Sequence, residues 1–305
     1  MTLNLWTLVF CVLMYGPVTE ACLSVCSCYR IPSCNGTFVN CHNKGLIKVP
    51  TNIPTDTCNI DLGSNQITTL GDNAFYGLSN LTRLGLRDNE ITNIQTNAFN
   101  GLPNLQDLDL QQNRINTLGD NAFDSLSNLD TLWLNFNKIT TIQTNTFNGL
   151  PNLQKLYLNG NIITTIPHNA FASLHNLNLL LLDSNKISII QSNAFHGLTN
   201  LQELYIDNNT ITILDKDIFL GLSKLEILDL NNNPLHCGCI LADFVRFSQS
   251  RNLTLGFLSE PKCSTPSKLK GVLLQDLSSE DMNCDVTTAT APVKETTGKM
   301  VILLK

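Results

Sequence analysis

Residues 81–104 read LTRLGLRDNEITNIQTNAFNGLPN, and a second copy follows at Leu105 without a gap. The same 24-residue pattern opens at Leu81, Leu105, Leu129, Leu153, Leu177, Leu201 and Leu225. An asparagine returns in register at Asn65, Asn89, Asn113, Asn137, Asn161, Asn185, Asn209 and Asn233, and a phenylalanine at Phe75, Phe99, Phe123, Phe147, Phe171, Phe195 and Phe219. A fixed period of this length marks a solenoid, in which each copy contacts only its neighbours. One copy cannot close a core alone; stacked copies share one.

Each part of the repeat has a mechanical reason. In L-x-L the leucines alternate with exposed residues, so a short strand turns them inward. The asparagine stands where the chain must turn. Its side-chain amide is expected to bond backbone groups that the turn leaves unpaired, in its own copy and the next. The isoleucine and phenylalanine fill the core from the turn and the convex side. Eight strands spaced by about 4.8 Å predict a curved parallel sheet about 35 Å along its stack. Eight amphipathic helices are excluded, because the asparagines and Gly-Leu breaks interrupt any helical period. The pattern is that of the leucine-rich repeat. The fold class is an α/β solenoid, a leucine-rich repeat horseshoe with a parallel concave β-sheet and disulfide-bonded terminal caps.

Composition narrows the function. The net charge is −6 and only 14% of residues are charged. That argues against nucleic acid, which wants a basic face, and against an anionic membrane surface. Of eleven cysteines none lies between Cys58 and Cys237; they cluster at the two ends of the solenoid. Cys11 falls in the N-terminal apolar segment, leaving an even ten. Such clusters imply an oxidising, extracellular setting.

In chain order, residues 1–21 read as a signal peptide, with an apolar core from Leu3 to Tyr15, Pro17 as breaker and cleavage before Cys22. Residues 22–56 form an N-terminal cysteine-rich cap, 57–232 the repeats and 233–284 a C-terminal cysteine-rich cap. In the last of these, Leu241, Phe244, Val245 and Phe247 have the spacing of a helix that covers the final core layer. Residues 285–305 are Thr-rich and read as a disordered stalk. Met300 to Leu304 is too short for a membrane span. The chain reads as secreted, or as held at the cell surface by an anchor beyond Lys305. Sequons at Asn35, Asn80, Asn208 and Asn252 fit an exported protein.

The cysteine spacings carry a resemblance. Cys22, Cys26, Cys28 and Cys41 give C-x3-C-x-C-x12-C, and residues 233–239 read NPLHCGC, with Cys263 and Cys284 following. These caps and repeats resemble extracellular leucine-rich repeat proteins, in particular the variable lymphocyte receptors of jawless vertebrates. Slit-like guidance proteins, Toll-like ectodomains and matrix proteoglycans share the scaffold. The resemblance implies disulfides Cys22–Cys28, Cys26–Cys41, Cys237–Cys263 and Cys239–Cys284; Cys34 and Cys58, extra to the pattern, would then pair. It also implies recognition of antigen or microbial surfaces through the concave sheet. A zinc site at Cys26-x-Cys28 is disfavoured by the tight spacing and the export signal.

No zinc-protease helix, nucleophile elbow, phosphate loop, dinucleotide fingerprint or calcium loop occurs in the chain. The reading is therefore not an enzyme, with no catalytic residues, no metal site and no cofactor. His168 and His196 read as solvated surface residues, and His236 as structural.

An internal duplication points to the binding face. Aligning residues 67–114 on 115–162, 16 of 48 positions differ. At the outward strand and strand-end positions, Arg83, Gly85, Arg87, Asp88, Asp107, Asp109, Gln111 and Gln112 become Thr131, Trp133, Asn135, Phe136, Lys155, Tyr157, Asn159 and Gly160. All eight differ there, against eight of the other forty. Burial explains why the leucines match, but exposed coil residues such as Asp72 and Asp120 match too. Change is concentrated on one exposed face. One outward column reads Asp61, Gly85, Asp109, Trp133, Tyr157, Leu181, Tyr205, Asp229. With Leu179 and Phe136 beside it, an exposed apolar patch is expected over the fourth to seventh copies, and such patches mark interaction sites. Rigid aromatics are typical anchors. Asp107, Asp183, Glu203 and Asp207 form a mostly negative rim, which favours basic partners; Lys155 is the exception inside it. The expected function is recognition of antigen, microbial, protein or glycan ligands on the concave face. The alternatives are an adhesion or guidance ligand for one receptor, or a matrix protein that forms a homodimer through that face.

Overall fold

The computed structural model describes residues 23–256 and 259–284. The signal-peptide and stalk readings, and the Cys22–Cys28 pair, involve residues outside these; Cys28 is itself disulfide-bonded. An eleven-stranded sheet runs through the chain in sequence order. The strands Ser27–Ile31 and Gly36–Asn40 form an antiparallel hairpin at the N-terminal edge. Eight parallel repeat strands follow, from Thr57–Asp61 to Ile227–Asp229, and Thr254–Leu255 closes the far edge. Both edges are thus occupied by cap residues, which blunts strand-to-strand association.

The seven repeat strands after Thr57–Asp61 are only three residues long, because the chain leaves the sheet soon after each L-x-L triplet. The residue before each ladder asparagine is left-handed: Ser64 (φ 54°), Asp88 (54°), Gln112 (54°), Phe136 (56°), Gly160 (67°), Ser184 (56°), Asn208 (51°) and Asn232 (52°). The asparagine then secures the turn. Asn161 Nδ2 donates to the carbonyls of Leu158 (2.9 Å) and Leu134 (3.0 Å), and its Oδ1 accepts from the Ile139 amide (3.0 Å). The second copy in each such set is the preceding one, not the following one as expected. The strand geometry decides this. Leu62 directs its N–H to Gly85 of the next copy, and its carbonyl points the same way, to Asn89. Such a carbonyl is therefore shared by the asparagine of its own copy and that of the copy after it.

On the other side of the leucine layer the phenylalanines stack. Successive rings from Phe75 to Phe219 lie 5.8–6.4 Å apart within 20° of parallel. The C-terminal cap finishes this spine. Its helix, Cys239–Ser250, buries Leu241, Ala242, Phe244 and Val245, and Phe244 meets Phe219 at 5.3 Å. Phe247 packs partly buried on the core, with the Arg251 guanidinium 5.1 Å from its ring centre. Disulfides join Cys26 to Cys41 and Cys34 to Cys58 at one end, and Cys237 to Cys263 and Cys239 to Cys284 at the other. No helix among the described residues is long and apolar enough to cross a membrane.

Candidate binding face

The parallel register sets side chains of successive copies directly beside one another. Trp133 pairs with Asp109 on one side and Tyr157 on the other; Leu181 lies between Tyr157 and Tyr205, and Asp229 follows. The aromatic column therefore exists as one contiguous row. Its centre is tightly built: the rings of Trp133 and Tyr157 stack 3.8 Å apart and within 7° of parallel. The polar N–H of Trp133 partly offsets the burial that raises the Asp107 pKa. One face of each ring is spent on its neighbour, so edges and outer faces remain for a partner. This preorganisation costs a ligand no ring ordering.

The expected exposure is corrected in part. Trp133, Tyr157, Leu179, Leu181 and Tyr205 are half-buried by their mutual packing, whereas Phe136 is 55% exposed. Thr131 and Asn135 are buried, although both stand at outward positions. Thr131 donates to the neighbouring Asp130 carboxylate (2.9 Å), and Asn135 donates to Gln111 (3.3 Å). In the free protein both side chains are shielded from solvent. Arg83, Arg87 and Lys155 are exposed; Asp107, Asp109, Asn159, Asp183, Glu203 and Asp207 are half-buried along the face.

Phe136 was legible as an aromatic but not as a strained one. Its φ of 56° is a conformation that bulky residues rarely adopt. Its ring lies over Gly160, where an added Cβ would sit 2.5 Å from the ring's Cδ1. At the equivalent places other copies carry Ser, Asp, Gln, Gly or Asn. Strain of this kind collects at functional sites. Replacing Phe136 by Asn, which tolerates the left-handed region, is expected to leave stability unchanged or raise it by up to about 1 kcal/mol. A urea midpoint clearly below that of the parent chain would contradict the strain.

Electrostatics divide the face. Burial raises the pKa of Asp107, Asp109 and Asp183. Asp207 is pushed up to about 6 by burial first and then by Asp229 and Asp183. Burial, and its hydrogen bond to Glu203 (2.9 Å), push the Tyr205 phenol up to about 12. Between pH 3.8 and about 6, native Asp207 holds a proton that the unfolded chain has lost. Its contribution to stability therefore falls as pH rises through that window. Asp207→Asn is expected to flatten this decline and to raise stability at pH 7 by about 1 kcal/mol, the full shift being discounted because the group is only half-buried. Denaturation midpoints of both proteins at pH 4 and pH 7 check this; parallel pH profiles would refute it.

The four sequon asparagines are all exposed. Asn208 stands at the rim of the concave face, its amide donating to Asp207. His168 and His196 are exposed, and His236 is tied to Thr265 (2.9 Å).

Comparison with known proteins fits this architecture. Residues 55–178 match the family described as BspA type leucine-rich repeat region, and residues 151–211, 179–235 and 199–256 match the family described as leucine-rich repeat. The chain is a leucine-rich repeat protein with disulfide-bonded caps. Mouse nyctalopin is 39% identical to it over 79 residues, covering 25% of this chain and 16% of nyctalopin. Bovine asporin is 38% identical over 65 residues, covering 21% of this chain and 16% of asporin. The chain thus spans less than a fifth of these two curated relatives. Among solved structures, human 5T4, described as Wnt-activated inhibitory factor 1 and trophoblast glycoprotein, superposes with a TM-score of 0.70 at 28% identity, covering 86% of this chain and 99% of 5T4. The capping disulfides of this leucine-rich repeat protein fit an extracellular setting.

Proposed function

We propose that this leucine-rich repeat protein is an extracellular, non-enzymatic recognition protein that holds a protein ligand on its concave face. The preorganised row Trp133–Tyr157–Leu181–Tyr205, with Phe136 beside it, carries this reading. A rigid aromatic centre within a polar rim is the layout of a binding hot spot. Two features favour protein over glycan. The stacked rings offer each other the faces that a sugar would use. The carboxylates along the face complement Lys and Arg side chains. Immune recognition of the kind performed by variable lymphocyte receptors is the first role proposed, on the strength of the paired cysteine caps and of change concentrated on the outward positions. Adhesion through one endogenous receptor is the second. A binding screen of the secreted protein across microbial surfaces, glycans and cell-surface proteins separates them. Several microbial targets support the first role, and one tight endogenous partner supports the second. Concentration-dependent self-association with no other binding would overturn both.

A further inference from the structure

A second asparagine column lies outside the concave row. Asn104, Asn128, Asn152, Asn176 and Asn200 stand three residues before their strands, and each donates its side-chain amide to a carbonyl of the preceding copy at 2.7–2.9 Å. Their amide N–H groups are thereby engaged, while their Oδ1 atoms remain available as acceptors; that of Asn200 takes Lys224 Nζ. Asn128, Asn152, Asn176 and Asn200 of this column line a polar groove of about 750 Å³, together with Arg83, Asp107, Asp130, Gln154 and Asn178. That volume falls within the range of small-ligand sites. The groove lacks aromatic side chains, so it would hold a freely diffusing ligand only weakly.

Asn80 is the first member of the same column, and it differs from the others in two ways. Thr82 makes it a sequon, whereas the corresponding residues in the following copies are Gln106, Asp130, Gln154, Asn178 and Gln202. Among the described residues it also lacks the bond to the preceding copy that holds the other asparagines, and it is exposed. An unheld, accessible amide is what glycan transfer needs. We propose that Asn80 carries an N-linked glycan whose core sugars lie in this groove. Sugar hydroxyls would donate to the free Oδ1 atoms and to the carboxylate of Asp130, and would accept from Arg83. A glycan on Asn80 starts three residues before Arg83, which lines the groove, and that tether removes the affinity problem. A short tether supplies an effective concentration of about 1 mM, so an intrinsic affinity of about 1 mM would seat about half the glycans. The seated glycan would cover this flank and leave the concave row as the open surface.

The test is site-specific glycopeptide mass spectrometry on the full chain secreted from human cells. Asn80 should be occupied, and its unprocessed oligomannose fraction should exceed that at Asn252 by about twofold, because a seated glycan is shielded from trimming enzymes. Filling the groove with Gln154→Trp should erase that difference while leaving Asn252 unchanged. An unmodified Asn80 would overturn the site. An occupied Asn80 processed like Asn252, or a difference that survives Gln154→Trp in a normally secreted chain, would overturn the seating.

Discussion

Asn161→Ala is expected to lower stability by about 2–3 kcal/mol, a larger loss than any single change on the concave face. The side chain is 5% exposed and holds three backbone groups: the carbonyls of Leu134 and Leu158 and the amide of Ile139. None of these groups belongs to a regular strand or helix. Truncation orphans the Ile139 amide and takes one of two donors from each carbonyl, Asn137 still serving Leu134 and Asn185 still serving Leu158; an unmade buried bond costs about 1–3 kcal/mol before relaxation. The damage falls between two copies, where a solenoid concentrates its coupling. Asn159→Ala is the control. It lies two residues away, is half-buried, and has an Oδ1 that is buried without a hydrogen-bond partner. Its removal should change stability by less than about 0.5 kcal/mol. Equilibrium urea denaturation of the two variants distinguishes a structural ladder from generic amide burial. Equal small losses would show that the ladder does not hold the copies together.

The parts of this protein that were legible in the sequence are those fixed by burial once per copy. Leucine, isoleucine, asparagine and phenylalanine recur in register because a shared core repeats the same requirement every 24 residues. The aromatic row was legible for the same reason, since the repeat length sets Trp133 beside Tyr157. The remainder depends on atoms that a repeat length does not specify. The direction of the asparagine ladder follows from where strand carbonyls point. The burial of Thr131 and Asn135 depends on side-chain packing, with Asp130 and Gln111 as their partners, that the repeat length leaves open. Phe136 could be counted as an apolar neighbour of the row, but its left-handed backbone shows only once the turn geometry is fixed. The Asn104 to Asn200 column was present as an Asn-Leu step in each copy, yet its bonds span 25 residues and become visible only across the stack.

Trp133→Ala with Tyr157→Ala is expected to weaken binding of the partner recovered by the screen by about 100-fold, or about 3 kcal/mol, while the chain stays folded. The rings stack on the sheet surface rather than in the leucine core, so their loss removes no core layer. The two effects should not add. Each ring keeps the other in its binding orientation, so either single change should cost most of what the pair costs. Trp133→Phe separates stacking from hydrogen bonding. It retains a flat ring against Tyr157 but removes the indole N–H that lowers the Asp107 pKa, so that pKa, already raised by burial, should rise further. A partner reading the aromatic row would tolerate this variant better than Trp133→Ala. A partner that pairs a cation with Asp107 would lose affinity below the new pKa, where the carboxyl is neutral. Surface plasmon resonance of the four variants between pH 5 and pH 8, with urea midpoints as the folding control, reads both effects. Unchanged affinity in a folded double variant would move the binding site off this face.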